Sequence, residues 1–143
     1  MEIIYRTAMI SDAADMAVLN TQLGYPSTTE SLTQNLEKVL ILPDNIVFVA
    51  EHHHKVVGWT NIRLNSTIES GTVCEIWGLI VDEAYRGNGI GKELIQRAKE
   101  WTKQQGINKL RVRTNVKRKD AHRFYFREGF TETKEQKSLE INL

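Results

Sequence analysis

The 143-residue sequence has one cysteine, no long apolar run and almost no net charge. The single cysteine, Cys74, cannot form a disulfide within the chain, which suits a reducing, cytoplasmic environment. No apolar stretch approaches the ~20 residues that cross a bilayer, and residues 1–6 lack the layout of a signal peptide. Lysine and arginine number 19 against 18 acidic residues, so the overall charge attracts neither nucleic acid nor an anionic membrane. We therefore expect a soluble cytoplasmic protein in which any anion binding is local.

What the sequence does contain is the composition of one globular domain. Hydrophobic residues make up 41% and charged residues 26% of the chain, which is long enough to bury one substantial core. No repeat, low-complexity segment or linker interrupts it, so we predict a single domain over residues 1–143.

Hydrophobic spacing and turn residues predict mixed strands and helices. In order, they predict a strand at 2–8, a helix begun by Ser11 or Asp12, a helix after 27–29, strands at 46–51, 56–64 and 73–81, a helix from Ile90 to Gly106, a strand at 110–115, a helix at 121–128 and a strand at 130–143. This order favours an α/β or α+β sandwich.

Three adjacent histidines, His52, His53 and His54, fall where the turn between strands 46–51 and 56–64 is predicted. They raise the alternative of a metal site. Consecutive residues point in different directions, however, and no nearby cysteine or aspartate cluster completes a coordination set. We favour an exposed turn and predict no metal.

An apolar strand runs through three glycines, Gly87, Gly89 and Gly91, into an amphipathic helix. The first amides of a helix lack intrahelical partners and carry partial positive charge, so an anion binds there readily. Glycines let an anion approach the backbone and can adopt positive φ. This segment predicts a phosphate-binding site.

The glycine spacing fits neither common nucleotide loop. A Walker loop requires G-x-x-x-x-G-K-[ST], but Arg86 stands five residues before Gly91 and Glu93 follows Lys92. A dinucleotide fingerprint requires G-x-G-x-x-G in an opening βαβ unit, and this loop lies in the middle of the chain.

The segment Arg86–Gly91 does resemble the R/Q-x-x-G-x-G/A signature of the GNAT family of N-acetyltransferases. The preceding strand and the segment Asp120–Phe130, which resembles the family's A-x-x-F-Y-x-x-x-G-F element, extend the resemblance over nearly the whole chain. It implies a mixed, mostly antiparallel central sheet with a splayed central strand, flanked by about four helices. It also implies acetyl-CoA as cosubstrate, and a homodimer is one expectation because dimers are common in the family. The cofactor-binding residues it implies are Leu79, Ile80, Val81, Arg86, Gly87, Asn88, Gly89, Ile90, Gly91, Lys92 and Asn115.

Two residues are candidates for proton transfer. Glu75 is a carboxylate in an apolar central strand, which is rare unless the group is paired or faces a cleft, so it is a candidate general base for the acceptor ammonium. The alternative is a buried ion pair with an arginine. Tyr125 matches the tyrosine that in the resembling family donates a proton to the coenzyme A thiolate, and the alternative is that it only packs a helix into the core. For Asn115 the alternative to cofactor binding is a turn-forming role.

We expect the first two predicted helices to form one wall of the site that binds the acceptor of the acetyl group. The sequence indicates only the chemical class of that acceptor. The segment Thr114–Phe130 resembles bacterial aminoalkylphosphonate N-acetyltransferases, whereas Trp77–Gly78 departs from the polar pair expected there. We predict transfer of acetyl to a primary amine of a small molecule. The alternatives are a protein or peptide, polyamine or aminoglycoside acceptor, and a non-catalytic sensor that binds acetyl-CoA.

Overall fold

A five-stranded sheet organises residues 1–112, the larger of two units in a computed structural model that describes residues 1–143. The strands are β1 (Ile4–Thr7), β2 (Asn45–His52), β3 (Lys55–Thr67), β4 (Gly71–Val81) and β5 (Leu110–Val112). They lie in sequence order across the sheet. All neighbouring pairs are antiparallel except β4 and β5, which are parallel. The mixed, mostly antiparallel sheet predicted above is confirmed.

Helices cover both faces of this sheet. They are α1 (Ala13–Gln22), α2 (Thr29–Leu40) and α3 (Ile90–Gln104). On one face, α1 and α2 pack against the sheet through a buried apolar cluster: Met16, Leu19, Leu32, Leu36, Val47, Val49 and Ile80. On the other face, Ile90 and Leu94 of α3 pack on Ala50 and Val57. No helix is long and apolar enough to cross a membrane.

The helices begin and end close to the predicted positions, although Asp12, at the N-cap position of α1, makes no side-chain capping hydrogen bond to that helix. Thr28 accepts a hydrogen bond from the Ser31 amide at 3.0 Å, and the Ser31 hydroxyl lies 3.2 Å from the Thr28 amide, so a capping box begins α2. Gly24 follows α1 with φ +99° and Gly106 follows α3 with φ +75°. Both are left-handed conformations that favour glycine after a helix.

The histidine tract forms the predicted turn. His52 pairs with Lys55, which leaves His53 and His54 as a two-residue loop. Their φ values of +50° and +62° are those of a type I′ turn, whose twist matches that of antiparallel strands. His53 and His54 are exposed, as expected.

Residues 113–143 form the second unit, whose only regular element is α4 (Lys119–Arg127). The helix predicted over 121–128 is confirmed with a shifted start. The strand predicted over 110–115 ends at Val112, and the strand predicted over 130–143 is wrong: residues 131–143 have no regular structure and are exposed. A strand needs a neighbour for its backbone hydrogen bonds, and this unit contains no strand to provide one.

Arg6 joins β1, β2 and the start of α1. Its guanidinium donates to both Asp12 carboxylate oxygens at 2.9 and 2.8 Å and to Glu51 at 2.9 Å. Asp12 is buried and also accepts from the Met9 amide at 2.8 Å. Burial by itself would raise the pKa of Asp12, but the hydrogen bonds from Arg6 and Met9 and the Arg6 charge hold it below its ordinary value.

Replacing Asp12 by Asn should reduce the free energy of unfolding at pH 7 by about 2 kcal/mol, because Arg6 and Met9 lose a charged acceptor. The folded pKa of Asp12 is lowered, so its contribution is complete above the unfolded value near ~3.9 and is lost as pH falls through the folded value. Urea unfolding of both proteins between pH 7 and pH 3 measures this. The difference should shrink below about pH 4; a constant difference would contradict the assignment.

Candidate functional site

Strand β4 is paired on both sides over only three residues. Cys74, Glu75 and Ile76 pair with β5, whereas β3 pairs with β4 as far as Val81. From Trp77 onward, the β5 side of β4 therefore has no partner strand. Main-chain groups along such an edge can bind an extended ligand as an added strand would.

The side chains along this one-sided stretch belong to the core. Ile80 is 6% exposed and packs in the cluster beneath α1 and α2, while Leu79 and Val81 pack against the α3 cluster. Any contribution of these three residues to ligand binding is consequently made by their main chain.

A β-bulge marks the place where β5 pairing stops. Asn61 pairs with Gly78 and Ile62 with Ile76, so Trp77 is an extra residue in β4. Trp77 is 52% exposed. A β-carbon on Gly78 would lie 2.6 Å from the Trp59 ring, so only glycine fits there. The glycine of the Trp77–Gly78 pair therefore has a steric reason in this chain.

The glycine loop leads from this edge into α3. Gly87 and Gly89 have φ of +82° and +78°, with open space where a β-carbon would be. The first intrahelical hydrogen bond runs from the Glu93 amide to the Gly89 carbonyl at 3.0 Å. The amides of the first three helical residues, Ile90 to Lys92, thus precede the helical ladder, as an anion site requires.

One expectation for the loop is corrected. Gly91 is the second residue of α3 and is not among the residues with positive φ, because the chain has already entered the right-handed helix. Its lack of a side chain, rather than its φ, is what it contributes at the helix start.

Neighbouring side chains hold the loop in shape. The Asn88 amide group donates to the Tyr85 carbonyl at 2.9 Å, so this side chain is engaged in the loop itself. Gln22 at the end of α1 accepts from the Glu83 amide at 3.1 Å, and the Tyr85 hydroxyl lies 2.8 Å from His52 Nδ1. Desolvation and the neighbouring His53 lower the pKa of His52. Arg86 and Lys92, by contrast, are exposed.

Glu75 is the most buried carboxylate near this edge, at 2% exposure. Its Oε1 accepts from Asn65 Nδ2 at 3.1 Å and lies 3.4 Å from Arg111 Nη1. The ion pair considered as the alternative role is therefore present. It does not exclude catalysis, because a carboxylate oriented by hydrogen bonds can also accept a proton.

Sequence analysis did not single out Asn61, Arg63 and Asn65, the polar residues of β3 nearest to Glu75. Arg63 lies opposite Glu75 in the strand register. The missed signal was alternation: polar residues at every second position of an otherwise apolar strand predict a polar patch on one face of the sheet.

Cys74 pairs beside Glu75 and is fully buried. Burial raises the pKa of its thiol. A buried thiol of this kind is a poor nucleophile.

In residues 113–143, Tyr125 is buried and contacts Phe124 and Phe130 edge-on, with ring centroids 5.3 and 5.5 Å apart. Burial raises the pKa of the phenol, although Arg118 opposes the shift. Within this unit its hydroxyl makes no hydrogen bond. The packing role is thus present, and the proton on the hydroxyl is retained at neutral pH.

Asn115 lies in a turn rather than at a strand end. Its Oδ1 accepts from the Lys117 amide at 2.9 Å, and its carbonyl lies 2.8 Å from His122 Nε2. The turn-forming alternative is therefore what the structure shows for its oxygen atoms. Asp120 and Arg123 form an exposed ion pair on α4.

A pocket of about 350 Å³ lies between α1 and the segment that precedes α2. Its lining residues are Ala14, Ala17, Val18, Thr21, Gln22, Ser27 and Thr29. Gln22 also accepts a hydrogen bond from the β4–α3 loop, so this pocket lies close to that loop. That α1 and α2 form one wall of the acceptor site stays a prediction.

The sequence profile of the Acetyltransferase (GNAT) family matches residues 13–130, and the chain belongs to that family. It is therefore an N-acetyltransferase of a family that uses acetyl-CoA. Aminoalkylphosphonate N-acetyltransferase from Salmonella typhimurium is 31% identical over 118 residues, covering 81% of this chain and 73% of that protein. Aminoglycoside N(6′)-acetyltransferase type 1 from Stenotrophomonas maltophilia is 29% identical over 133 residues, covering 90% and 86%.

Solved structures show the same fold. An aminoglycoside 6′-N-acetyltransferase from Acinetobacter baumannii superposes with a TM-score of 0.86 at 18% identity, covering 99% of both chains. Glucosamine-6-phosphate N-acetyltransferase from Arabidopsis thaliana superposes with a TM-score of 0.81 at 21% identity, covering 99% of this chain and 100% of that one.

Proposed function

We propose that this protein transfers acetyl from acetyl-CoA to a primary amine of a small molecule by direct attack of the amine. The observation that carries the proposal is the continuity of the one-sided β4 edge with the glycine loop and the start of α3. An extended ligand that ends in phosphates matches this order: main-chain groups first, an anion site second.

Acetyl-CoA has this shape, and when bound it supplies the acetyl group as an activated thioester. The main chain of Leu79, Ile80 and Val81 would hold its extended arm, and an amide near Leu79 would face the thioester oxygen. The amides of Gly87 to Lys92 would hold the pyrophosphate, with Arg86 and Lys92 adding positive charge. Cofactor binding by Asn115 stays a prediction. Its Nδ2 group would make the contact, because its Oδ1 already accepts a hydrogen bond in the turn.

Gly89 and Gly106 allow a matched test of the loop, because both have φ near +75° at opposite ends of α3 and both have open space at the β-carbon position. Alanine at either position should cost about 1 kcal/mol of stability through left-handed strain. Only Gly89→Ala should also weaken acetyl-CoA binding, by about tenfold, because its methyl group obstructs the anion site. Calorimetric titration measures both variants; equal affinities would contradict the assignment of the loop.

Glu75 is proposed as the general base. An alkylammonium has a pKa near ~10, so the acceptor arrives mostly protonated and needs a group that takes its proton, directly or through water. The hydrogen bonds from Asn65 and Arg111 orient the carboxylate for this role.

Replacing Glu75 by Gln keeps the shape and removes the base. We expect kcat/KM to fall by about 10²-fold at pH 7 while acetyl-CoA affinity is retained, and to recover as pH approaches the amine pKa. Glu51→Gln is the matched control, because Glu51 is also a strand carboxylate paired with an arginine, at 2.9 Å. Both variants should lose stability, but only Glu75→Gln should lose turnover. A pH–rate profile parallel to that of the wild type would show that Glu75 is only structural.

Tyr125 is proposed as the acid that protonates the departing thiolate. Because its pKa is raised above the ordinary ~10, the phenol remains a donor throughout the neutral range. Tyr125→Phe should lower kcat by roughly 10- to 1000-fold in single-turnover measurements, with little change in acetyl-CoA affinity. Tyr5→Phe, which removes the hydroxyl of another partly buried tyrosine, is the control and should retain full activity. Full activity of Tyr125→Phe would overturn the role.

Thiol release from acetyl-CoA, measured across small amino acids, aminoalkylphosphonates, amino sugars, aminoglycosides, polyamines and peptides, tests the function as a whole. The relatives named for aminoalkylphosphonates and aminoglycosides place both acceptor types in the panel. Rapid turnover of small amines would support the proposal. Turnover of peptides alone would replace the proposed small-molecule acceptor with a peptide, and binding of acetyl-CoA without any turnover would favour the sensor alternative.

Two expectations about organisation stay predictions: a single domain over residues 1–143, and a homodimer.

A further inference from the structure

One arginine beside Glu75 is held in place without a carboxylate partner. Arg63 lies opposite Glu75 in the register of β3 and β4, yet the Glu75 carboxylate lies 3.4 Å from Arg111. Arg63 itself forms no ion pair. A partly buried arginine ordinarily has an anionic partner or faces solvent, so the missing anion calls for an explanation.

The guanidinium of Arg63 is positioned by two contacts. Its Nε donates to Asn61 Oδ1 at 3.3 Å, and its central carbon lies 5.2 Å from the centre of the Trp77 ring. Asn61 is 6% exposed and is fixed in turn, because its Nδ2 donates to Asn45 Oδ1 and to the Ile46 carbonyl, both at 3.0 Å. Only Nε is used, so the two terminal Nη groups of Arg63 have no hydrogen-bond partner.

A second donor on the same strand face also lacks an acceptor. Trp59 shares this face with Asn61 and Arg63, since side chains two residues apart in a strand point the same way. Its indole Nε1 is buried and makes no hydrogen bond. Buried donors are almost always satisfied, so the unused indole N–H of Trp59 supports a ligand that accepts hydrogen bonds. The partly exposed Nη groups of Arg63 on the same strand face could donate to that ligand as well.

We propose that the terminal Nη groups of Arg63, on the Trp77 platform, bind an anionic group of the acceptor. The acceptor is then a short primary amine that also carries a carboxylate, phosphonate or phosphate. This inference rests on the proposed function, because it adds a specificity site to the same acceptor. An arginine fork can donate to two oxygens of a carboxylate, phosphonate or phosphate at once.

The strand register also sets the length of the acceptor. Directly opposite residues of an antiparallel pair have β-carbons about 5 Å apart. Because the two side chains start from opposite positions and share a face, we expect a short acceptor, with its ammonium at Glu75 and its anion at Arg63. Short aminoalkyl acids fit this spacing, whereas large polycationic amines place further positive charge beside Arg63.

Amines matched in length test the proposal in the wild-type protein. All five amines carry one reacting ammonium group and differ in the group at the other end. That group is an anion in β-alanine and 2-aminoethylphosphonate, is neutral in β-alaninamide and ethanolamine, and is a second cation in 1,3-diaminopropane. We expect kcat/KM for at least one anionic amine to exceed that for β-alaninamide by about 30-fold or more, the usual worth of a charge-assisted pair. The two anionic amines separate a carboxylate site from a phosphonate site. Equal or higher values for the neutral or cationic amines would overturn the proposal.

Replacing Arg63 by Met keeps the apolar stem and removes the fork. It should lower kcat/KM for the anionic amines by about 10²-fold and for β-alaninamide by less than threefold, and Arg63→Lys should retain part of the preference. Arg127→Met, an exposed arginine on α4, controls for the change in net charge and should alter neither. An equal loss for every amine would show that Arg63 is structural and would contradict the inference.

Calorimetric binding of 2-aminoethylphosphonate and of acetyl-CoA to the same variants separates the two levels of the proposal. Unchanged acetyl-CoA affinity in Arg63→Met shows that the variant folds. If that affinity is lost, the comparison of anionic, neutral and cationic amines in the wild-type protein decides whether the acceptor carries an anion. Absence of transfer to every amine, with Arg63-dependent binding of the anionic amine, would contradict the proposed enzyme but support the anion site. Acetyl transfer that does not depend on Arg63 would support the proposed enzyme and contradict the anion site.

Discussion

The interrupted pairing of β4 is the constraint on which the rest of the structure depends. Three residues of β4 pair on both sides, and beyond Ile76 only β3 remains as a partner. Backbone groups left without a strand partner must bind water or a ligand, because burying them unpaired is costly. The bulge at Trp77 lies at this transition and changes the register of the strand. The glycine loop then follows directly, so one segment of chain supplies both a one-sided main-chain edge and the unpaired amides at the start of α3.

The burial of Glu75 is the second constraint. A carboxylate at 2% exposure is tolerated here because Asn65 and Arg111 provide hydrogen bonds and opposite charge. Satisfying it with Arg111 leaves Arg63 available, and Arg63 is fixed by contacts that do not neutralise it. The two arginines on the strands flanking Glu75 therefore differ in role, although their sequence contexts look alike.

Much of the fold follows from local signals in the sequence, such as capping residues, glycines and apolar spacing. The capping box at Thr28, the glycines at 24 and 106 and the apolar spacing of α3 each specify an element within a few residues. The segment 130–143 shows where such rules stop: a strand was predicted there, but a strand exists only where another strand pairs with it. The same limit applies to Asn115, which was placed at a strand end and instead forms a turn.

By itself the sequence determined the order of elements, the glycine loop and the presence of an isolated carboxylate in an apolar strand, since each depends on neighbours along the chain. Only the tertiary structure decided which groups meet across strands. The Arg111–Glu75 ion pair, the stacking of Arg63 on Trp77 and the fit of Gly78 beneath Trp59 all depend on strand register. Register is set by long-range pairing and by a single bulge residue, and a one-residue shift would turn each of these side chains to the opposite face.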